Sequence, residues 1–375
     1  MRTLFERVIA AEHRLRPLVS HVPPALATRL FSRGRSVVAD WIVTERPDVR
    51  DIPPEMSVSA WGLQFRMGLW NAAGMFKSGK GYELAVRQGA GAFVAGTTTS
   101  RPRAGNVRSG IRWPAASYAR SSSASNWMGL PNPGHEAVAR RMHDTERHPG
   151  CPLGASVTAE PGLDPDLAIS ELVQGMQLYA QAGVDYLEVN ESCPNTAHHE
   201  VSHDLYERLS RISEGFLRRR QSPLPVVVKF SVDTDPLQIP ELLTMLIDLG
   251  FDGIILGNTS TNYRKHESAL DPRDRALYTY FSQTFGGGVS GAAVRQDAQD
   301  LARIAQEALH TMKPSHEFHV IRCGGIATAA DVLASQADGI QLHQWYTGYY
   351  EAFASYGHDL YVAMAKQVLQ KVQRV

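Results

Sequence analysis

From Trp61 onward, short apolar runs alternate with stretches in which apolar residues recur every three or four positions. The runs cover residues 68–73, 92–96, 153–157, 185–190, 226–230, 253–257, 318–323 and 339–342. Runs this short and continuous predict strands buried on both faces. The periodic stretches cover residues 80–88, 136–144, 166–182, 206–220, 237–249, 295–311 and 329–335, and predict amphipathic helices. Their alternation predicts an α/β fold, a closed parallel (β/α)8 TIM barrel over residues 56–375. A doubly wound open sheet is the alternative, and it needs a Gly-rich turn after its first strand.

Residues 1–55 follow a different pattern. Leu4, Val8, Ile9, Leu15 and Leu18 fall at roughly helical spacing, with Arg2, Arg7, Arg14 and Arg16 between them. Leu26, Leu30, Phe31, Val37, Val38, Trp41 and Ile42 repeat the pattern between Ala25 and Val43. Two amphipathic helices joined at Pro23-Pro24 are predicted, a small helical extension to the barrel. Two roles are open to it. It is a cap packed on the barrel, or a small apolar subdomain that lies on a membrane surface and admits a lipid-soluble partner.

Polar residues gather where the strands stop. The run that ends at Asn190 breaks into Glu191-Ser192-Cys193-Pro194-Asn195-Thr196. Pro194 cannot donate a ladder hydrogen bond, so the strand ends there. Packing alone has no use for two carboxamides and a thiol at that point, whereas a planar polar substrate does. Asn71 and Lys77 follow the first strand, Lys229 ends the fifth, and Asn258 and Thr259 follow the sixth. Gly324 and Gly325 follow the seventh, and Tyr346 and Thr347 follow the eighth. In a barrel these C-terminal ends converge on one mouth.

Composition acts mainly by exclusion. Among 375 residues, Lys+Arg and Asp+Glu are both 38, so an excess of positive charge for nucleic acid is absent. Three cysteines, Cys151, Cys193 and Cys323, are too few and too scattered for a disulfide framework. A reducing, cytoplasmic setting is expected. The N-terminus lacks the apolar core of a signal peptide, and no run of about 18 apolar residues predicts a spanning helix. His198-His199-Glu200 and His203 lack a clean ligand spacing, so no metal is expected.

Gly324-Gly325 can bring two backbone N–H groups close to an anion, and a helix from Ala327 to Ser335 would add its positive end. With Tyr346-Thr347-Gly348 after the eighth strand, this predicts the phosphate site common in such barrels. Gly286-Gly287-Gly288-Val289-Ser290-Gly291 adds an amide-rich loop. Lys229 closes a buried run, where an unpaired charge is costly. It is a candidate to place positive charge beside a cofactor ring, and Lys77 is a candidate partner for a substrate carboxylate. Cys193, in a polar loop, is the candidate general base as a thiolate. Cys151 and Cys323 have no polar company in the sequence and are read as structural.

These motifs, in order, resemble those of the dihydroorotate dehydrogenases. The resemblance runs from about Met56 to the C-terminus through Asn71-Ala72-Ala73-Gly74, Gly96-Thr97-Thr98-Thr99, Gly105-Asn106 and Asn126-Trp127-Met128-Gly129-Leu130-Pro131-Asn132. It continues through Asn190-Glu191-Ser192-Cys193-Pro194-Asn195, Lys229, Asn258-Thr259, Gly287-Gly288-Val289-Ser290-Gly291, Cys323-Gly324-Gly325-Ile326 and Tyr346-Thr347-Gly348. It implies an FMN-dependent oxidation of dihydroorotate to orotate in pyrimidine biosynthesis, with the C5 proton passing to Cys193 and the C6 hydride to flavin N5. Lys77, Asn126, Asn190, Asn195, Asn258 and Thr259 resemble substrate-binding positions. Ala73, Gly74, Thr97, Lys229, Gly291, Gly324, Gly325, Tyr346 and Thr347 resemble FMN-binding positions. The alternatives are a flavin oxidoreductase of this fold with another substrate, or a non-catalytic FMN-binding barrel.

The class features are mixed. Cysteine as base with Met-Gly-Leu-Pro-Asn is similar to the soluble class, which uses fumarate or NAD. The helical extension, and Gly105-Asn106 followed by Arg112, are similar to the quinone class, in which the matching arginine lies near the quinone tunnel. That resemblance implies a quinone acceptor and peripheral contact with the inner face of the cytoplasmic membrane. Glu191 puts a carboxylate where the family usually has an apolar residue, and Glu160 stands where quinone-class members carry an FMN-contacting asparagine. Either would repel a carboxylate substrate unless turned away or protonated.

Overall fold

The computed structural model describes residues 2–191 and 203–373. Eight parallel strands run as β1 (Leu69–Asn71), β2 (Phe93–Thr98), β3 (Leu153–Val157), β4 (Tyr186–Asn190), β5 (Val226–Phe230), β6 (Gly253–Leu256), β7 (His319–Cys323) and β8 (Leu342–Trp345). They pair in the order β1-β8-β7-β6-β5-β4-β3-β2. At the seam between β1 and β2, Phe76 bridges to Ala95. The Asn71 carboxamide donates to the Val94 carbonyl at 2.8 Å and accepts from the Val94 amide at 3.3 Å. The predicted barrel is the fold.

The eighth strand lies three residues later than its sequence pattern suggests. Apolar content marks residues 339–342, but the strand is Leu342-His343-Gln344-Trp345. Of its two polar residues, Gln344 points into a polar layer of the barrel interior, whereas His343 alternates to the outer face with Trp345. Tyr186, Val227, Ile255, Ile321 and Leu342 fill the interior below that layer, whereas Leu187, Val226, Val228 and Ile254 pack outward against the helices. A hairpin of Val58–Ala60 and Leu63–Phe65 plugs the N-terminal end, its Phe65 ring 5.5 Å from Trp70. Gly154 on β3 is small because a Cβ there would collide with the Tyr186 ring.

The N-terminal extension folds as α1 (Leu4–Leu15), a 3-10 turn (Arg16–His21) and α2 (Pro24–Ile42). Thr3 and Glu6 form a capping box at the start of α1. Phe5 is buried between Trp41, at 5.0 Å, and Phe353, at 5.4 Å. The Ser32 hydroxyl on α2 accepts from the Ala115 amide at 3.0 Å. Ala115 begins a three-stranded antiparallel sheet, Ala115–Tyr118, Ser123–Asn126 and Gly288–Gly291, that stands beside the barrel mouth. The cap therefore grips both the barrel's last helices and this accessory sheet. No described helix is long and apolar enough to cross a membrane.

Candidate active site

A cavity of about 630 Å³ opens above the C-terminal ends of the strands and continues upward between α1, α2 and the accessory sheet. That volume suits a cofactor and a small substrate. Its floor and walls include Ala73, Gly74, Lys77, Thr97, Asn126, Asn190, Asn258, Thr259, Gly291, Gly324, Gly325, Tyr346 and Thr347. The structure thus brings these sequence-predicted residues together. Cys193 and Asn195 lie outside the described residues, as do His198, His199 and Glu200.

Lys229 is 2% exposed on β5, beside Asn190 in the β4–β5 register. Its ammonium lies 3.4 Å from the Cys323 thiol, which faces the cavity. Cys323 therefore has the polar company that its sequence context lacks. It is the lysine across the barrel, not a chain neighbour, that supplies it. Burial pushes the Cys323 thiol up, with Lys229 opposing. Asn190 donates to the Thr97 hydroxyl at 2.9 Å, and Thr97 also meets the Ser156 hydroxyl at 2.9 Å. Ser156 was not singled out from the sequence. A serine within an apolar run carries no signal until the barrel turns it inward.

Thr259 is 9% exposed, and its hydroxyl has no hydrogen-bond partner among the described residues. A buried hydroxyl facing a cavity in this state fits a polar ligand. The phosphate end differs from the sequence expectation. The helix after Gly324-Gly325, Ala329–Ala337, is closed by its own capping box: Thr328 accepts from the Asp331 amide, and the Ala327 and Thr328 amides donate to the Asp331 carboxylate at 3.0 and 2.8 Å. The open positive end belongs to the next helix, Thr347–Tyr356. Its N-cap Tyr346 makes no side-chain cap, and its first residues line the cavity. Gly324 and Gly325 still present backbone to the cavity, at φ of 108° and 70°. A phosphate fits between this glycine pair and the uncapped helix. With Lys229 buried just behind the cavity-lining Cys323, the donor set suits FMN.

Both acidic departures are neutralised by arginines. Glu160 pairs with Arg103 at 2.5 Å, and Glu191 with Arg208 at 2.9 Å. Neither carboxylate lines the cavity. The buried acid that does approach the site is Glu188, beneath Lys229. Burial pushes its carboxyl up to about 7, against the opposing pull of Lys229 and Gln344. In the sequence it sits in a short, otherwise mostly apolar run, with nothing to mark it as a site residue.

The upper cavity is different in character. Ile9, Val19, Leu30, Phe31 and Val38 line it, with Leu15 and Leu30 largely exposed at the opening. Arg35 of α2 reaches down to the Tyr346 hydroxyl, with its guanidinium 5.7 Å from that ring's centre. Arg112, the arginine expected near this passage, is exposed and stacks on Trp113 at 4.4 Å. Arg35 holds the inner position because α2 lies over the cavity and carries Arg35 into its lining, whereas Arg112 is turned outward.

A family model described as dihydroorotate dehydrogenase matches residues 55–364. A relative from Alkalilimnicola ehrlichii, named dihydroorotate dehydrogenase (quinone), is 30% identical over 79% of this chain and 82% of its own. One of the same name from a Synechococcus strain is 29% identical over 79% of this chain and 76% of its own. The fold is similar to that of DHODH from Eimeria tenella crystallised with ferulenol, with a TM-score of 0.70 at 20% identity over 91% of each chain. The matched segment takes in every strand of the barrel, and the chain belongs to the dihydroorotate dehydrogenase family.

Proposed function

We propose that this protein oxidises dihydroorotate to orotate with bound FMN and passes the electrons to a quinone. The carrying observation is the single cavity that joins a carboxamide-rich floor to an apolar passage under the helical cap. When bound, FMN supplies the two-electron acceptor at N5 and the later exit of electrons to the quinone. Lys77 pairs with the substrate carboxylate. The carboxamides of Asn126, Asn190, Asn195 and Asn258 and the Thr259 hydroxyl read the alternating donors and acceptors of the substrate ring. Cys193 removes the C5 proton. Ala73, Gly74, Thr97 and Gly291 shape the flavin's bed, and Lys229 places positive charge at its edge. Gly324, Gly325, Tyr346 and Thr347 hold the phosphate.

The passage supports a quinone as the acceptor. Its lining suits an isoprenoid tail, and Arg35 with the Tyr346 hydroxyl offers donors to a quinone carbonyl. Exposed Leu4, Leu15, Leu18, Leu26 and Leu30 on the cap suit the surface of a membrane, on its cytoplasmic face. The test is an anaerobic visible spectrum of the FMN-loaded protein. Dihydroorotate should bleach the flavin band, and a long-chain quinone should restore it faster than fumarate or NAD. Arg35→Ala should raise the quinone KM about tenfold, the loss of roughly one charge-assisted hydrogen bond, while leaving bleaching unchanged. A flavin band unmoved by dihydroorotate overturns the substrate. Equal reoxidation by all three acceptors overturns the quinone.

A further inference from the structure

Below the flavin bed, three side chains from three strands form a chain of contacts inside the barrel. The Lys229 ammonium on β5 donates to the Gln344 carbonyl oxygen on β8 at 3.1 Å. The Gln344 amide nitrogen donates in turn to the Glu188 carboxyl on β4. An ammonium only donates, so Gln344 must turn its oxygen to Lys229 and its nitrogen to Glu188. Glu188 and Gln344 are 0% exposed. The second Glu188 oxygen, Oε2, has no hydrogen-bond partner among the described residues.

This is an expensive place for a permanent carboxylate. One of its oxygens would be buried without a donor, which a protonated carboxyl tolerates better. The groups facing Glu188 are Lys229, Gln344, the neighbouring Tyr186 and, beyond Lys229, the Cys323 thiol. Lys229 is the one cation among them. Whatever negative charge appears above Lys229 therefore competes with Glu188 for it.

We infer that Glu188 is a redox-linked proton acceptor: its carboxylate takes up one proton from water when the flavin above Lys229 gains two electrons, and releases it on reoxidation. The inference rests on the FMN reading above and goes beyond it. Substrate oxidation delivers two electrons and one proton to the flavin, and the second proton goes to Cys193. The flavin site has then gained one negative charge. Protonation of Glu188 forms one O–H bond and restores the local charge, leaving Lys229 to the flavin. Reoxidation passes the two electrons and the flavin-bound proton to the acceptor, whose second proton comes from water, and the Glu188 proton returns to water. Gln344 is a positioning residue that keeps Glu188 and Lys229 in one electrostatic unit. The burial-raised titration of Glu188, near neutral pH, agrees with this placement.

The experiment is a dye-linked redox titration of the FMN-loaded full-length protein between about pH 6.5 and 8.5. For a two-electron couple, each proton taken up contributes about 30 mV per pH unit. The wild type should show about 60 mV per pH unit where Glu188 titrates between its two redox states. Glu188→Gln, which keeps the shape and one hydrogen bond, should show about 30 mV. Equal slopes in the two proteins overturn the inference. Should Glu188→Gln fail to retain FMN, Gln344→Leu supplies the second comparison: with the link to Lys229 cut, the steep segment should move along the pH axis, and an unmoved segment overturns the inference. A wild-type slope of about 30 mV throughout overturns it without any variant. Failure of the FMN reading looks different: no flavin retained, or no bleaching by dihydroorotate at any pH.

Discussion

Arg103 holds Glu160 at 2.5 Å in the loop beyond β3, where Glu160 is only 8% exposed. This pair makes an acidic residue acceptable near a site for an anionic substrate. Removing the cation alone strands a buried carboxylate. Arg103→Met should therefore cost about 2 kcal/mol, below the range for fully buried pairs because Arg103 is partly exposed. The double variant Arg103→Met/Glu160→Gln should recover most of it. Urea unfolding of the three proteins checks this, and an additive double variant would refute the coupling.

Two buried imidazoles make acid stability a second test. Burial pushes His135 and His343 down to about 4. The unfolded chain, with histidines near 6.5, takes up these protons first as pH falls. Their contribution is thus fully present above about pH 6.5 and is lost between there and pH 4, up to roughly 3 kcal/mol for each ring. Urea midpoints should fall steeply from pH 6.5 to 4.5. His135→Gln/His343→Gln should flatten that slope, and an unchanged slope would assign it to other groups.

Phe5 anchors the cap. Its ring fills the space between Trp41 and Phe353, so Phe5→Ala should cost about 3–4 kcal/mol of local stability. The measurable result is faster proteolysis within residues 2–43, with flavin reduction by dihydroorotate retained. Protection equal to wild type would show that the cap is held elsewhere.

Leu15 and Leu30 are 60% and 55% exposed at the opening of the apolar passage. Charging them should weaken the proposed membrane contact without disturbing the barrel. Leu15→Glu/Leu30→Glu should lose most co-sedimentation with anionic phospholipid vesicles and raise the KM for long-chain quinone. Anaerobic flavin reduction should be unchanged. Undiminished vesicle binding would remove the cap from the membrane interface.

Cys193→Ala should slow flavin reduction by roughly 10²–10⁴-fold, the contribution of a positioned base. Stopped-flow reduction measures it directly. A rate equal to wild type would exclude Cys193 as the base.

The sequence by itself determined the barrel, because eight buried runs separated by periodic helices leave few other ways to hide apolar surface. It also determined most of the mouth, since residues at the ends of barrel strands converge whatever their separation along the chain. Asn190, Asn258, Thr259 and Gly324 share one cavity for that reason. What lies inside the barrel or comes from a distant element was decided only by tertiary structure. Glu188 and Gln344 are 156 residues apart and meet because alternate strand residues point inward. Gln344 even hid its strand, since polar interior positions break the apolar run. Arg35 displaced Arg112 at the passage because helix packing, not sequence distance, sets which side chain reaches Tyr346. The anion-facing helix changed too, since Asp331 closes one N-terminus and leaves that at Thr347 open. Charge pairing and side-chain direction depend on neighbours far along the chain, and only the folded backbone brings those neighbours within a few ångströms.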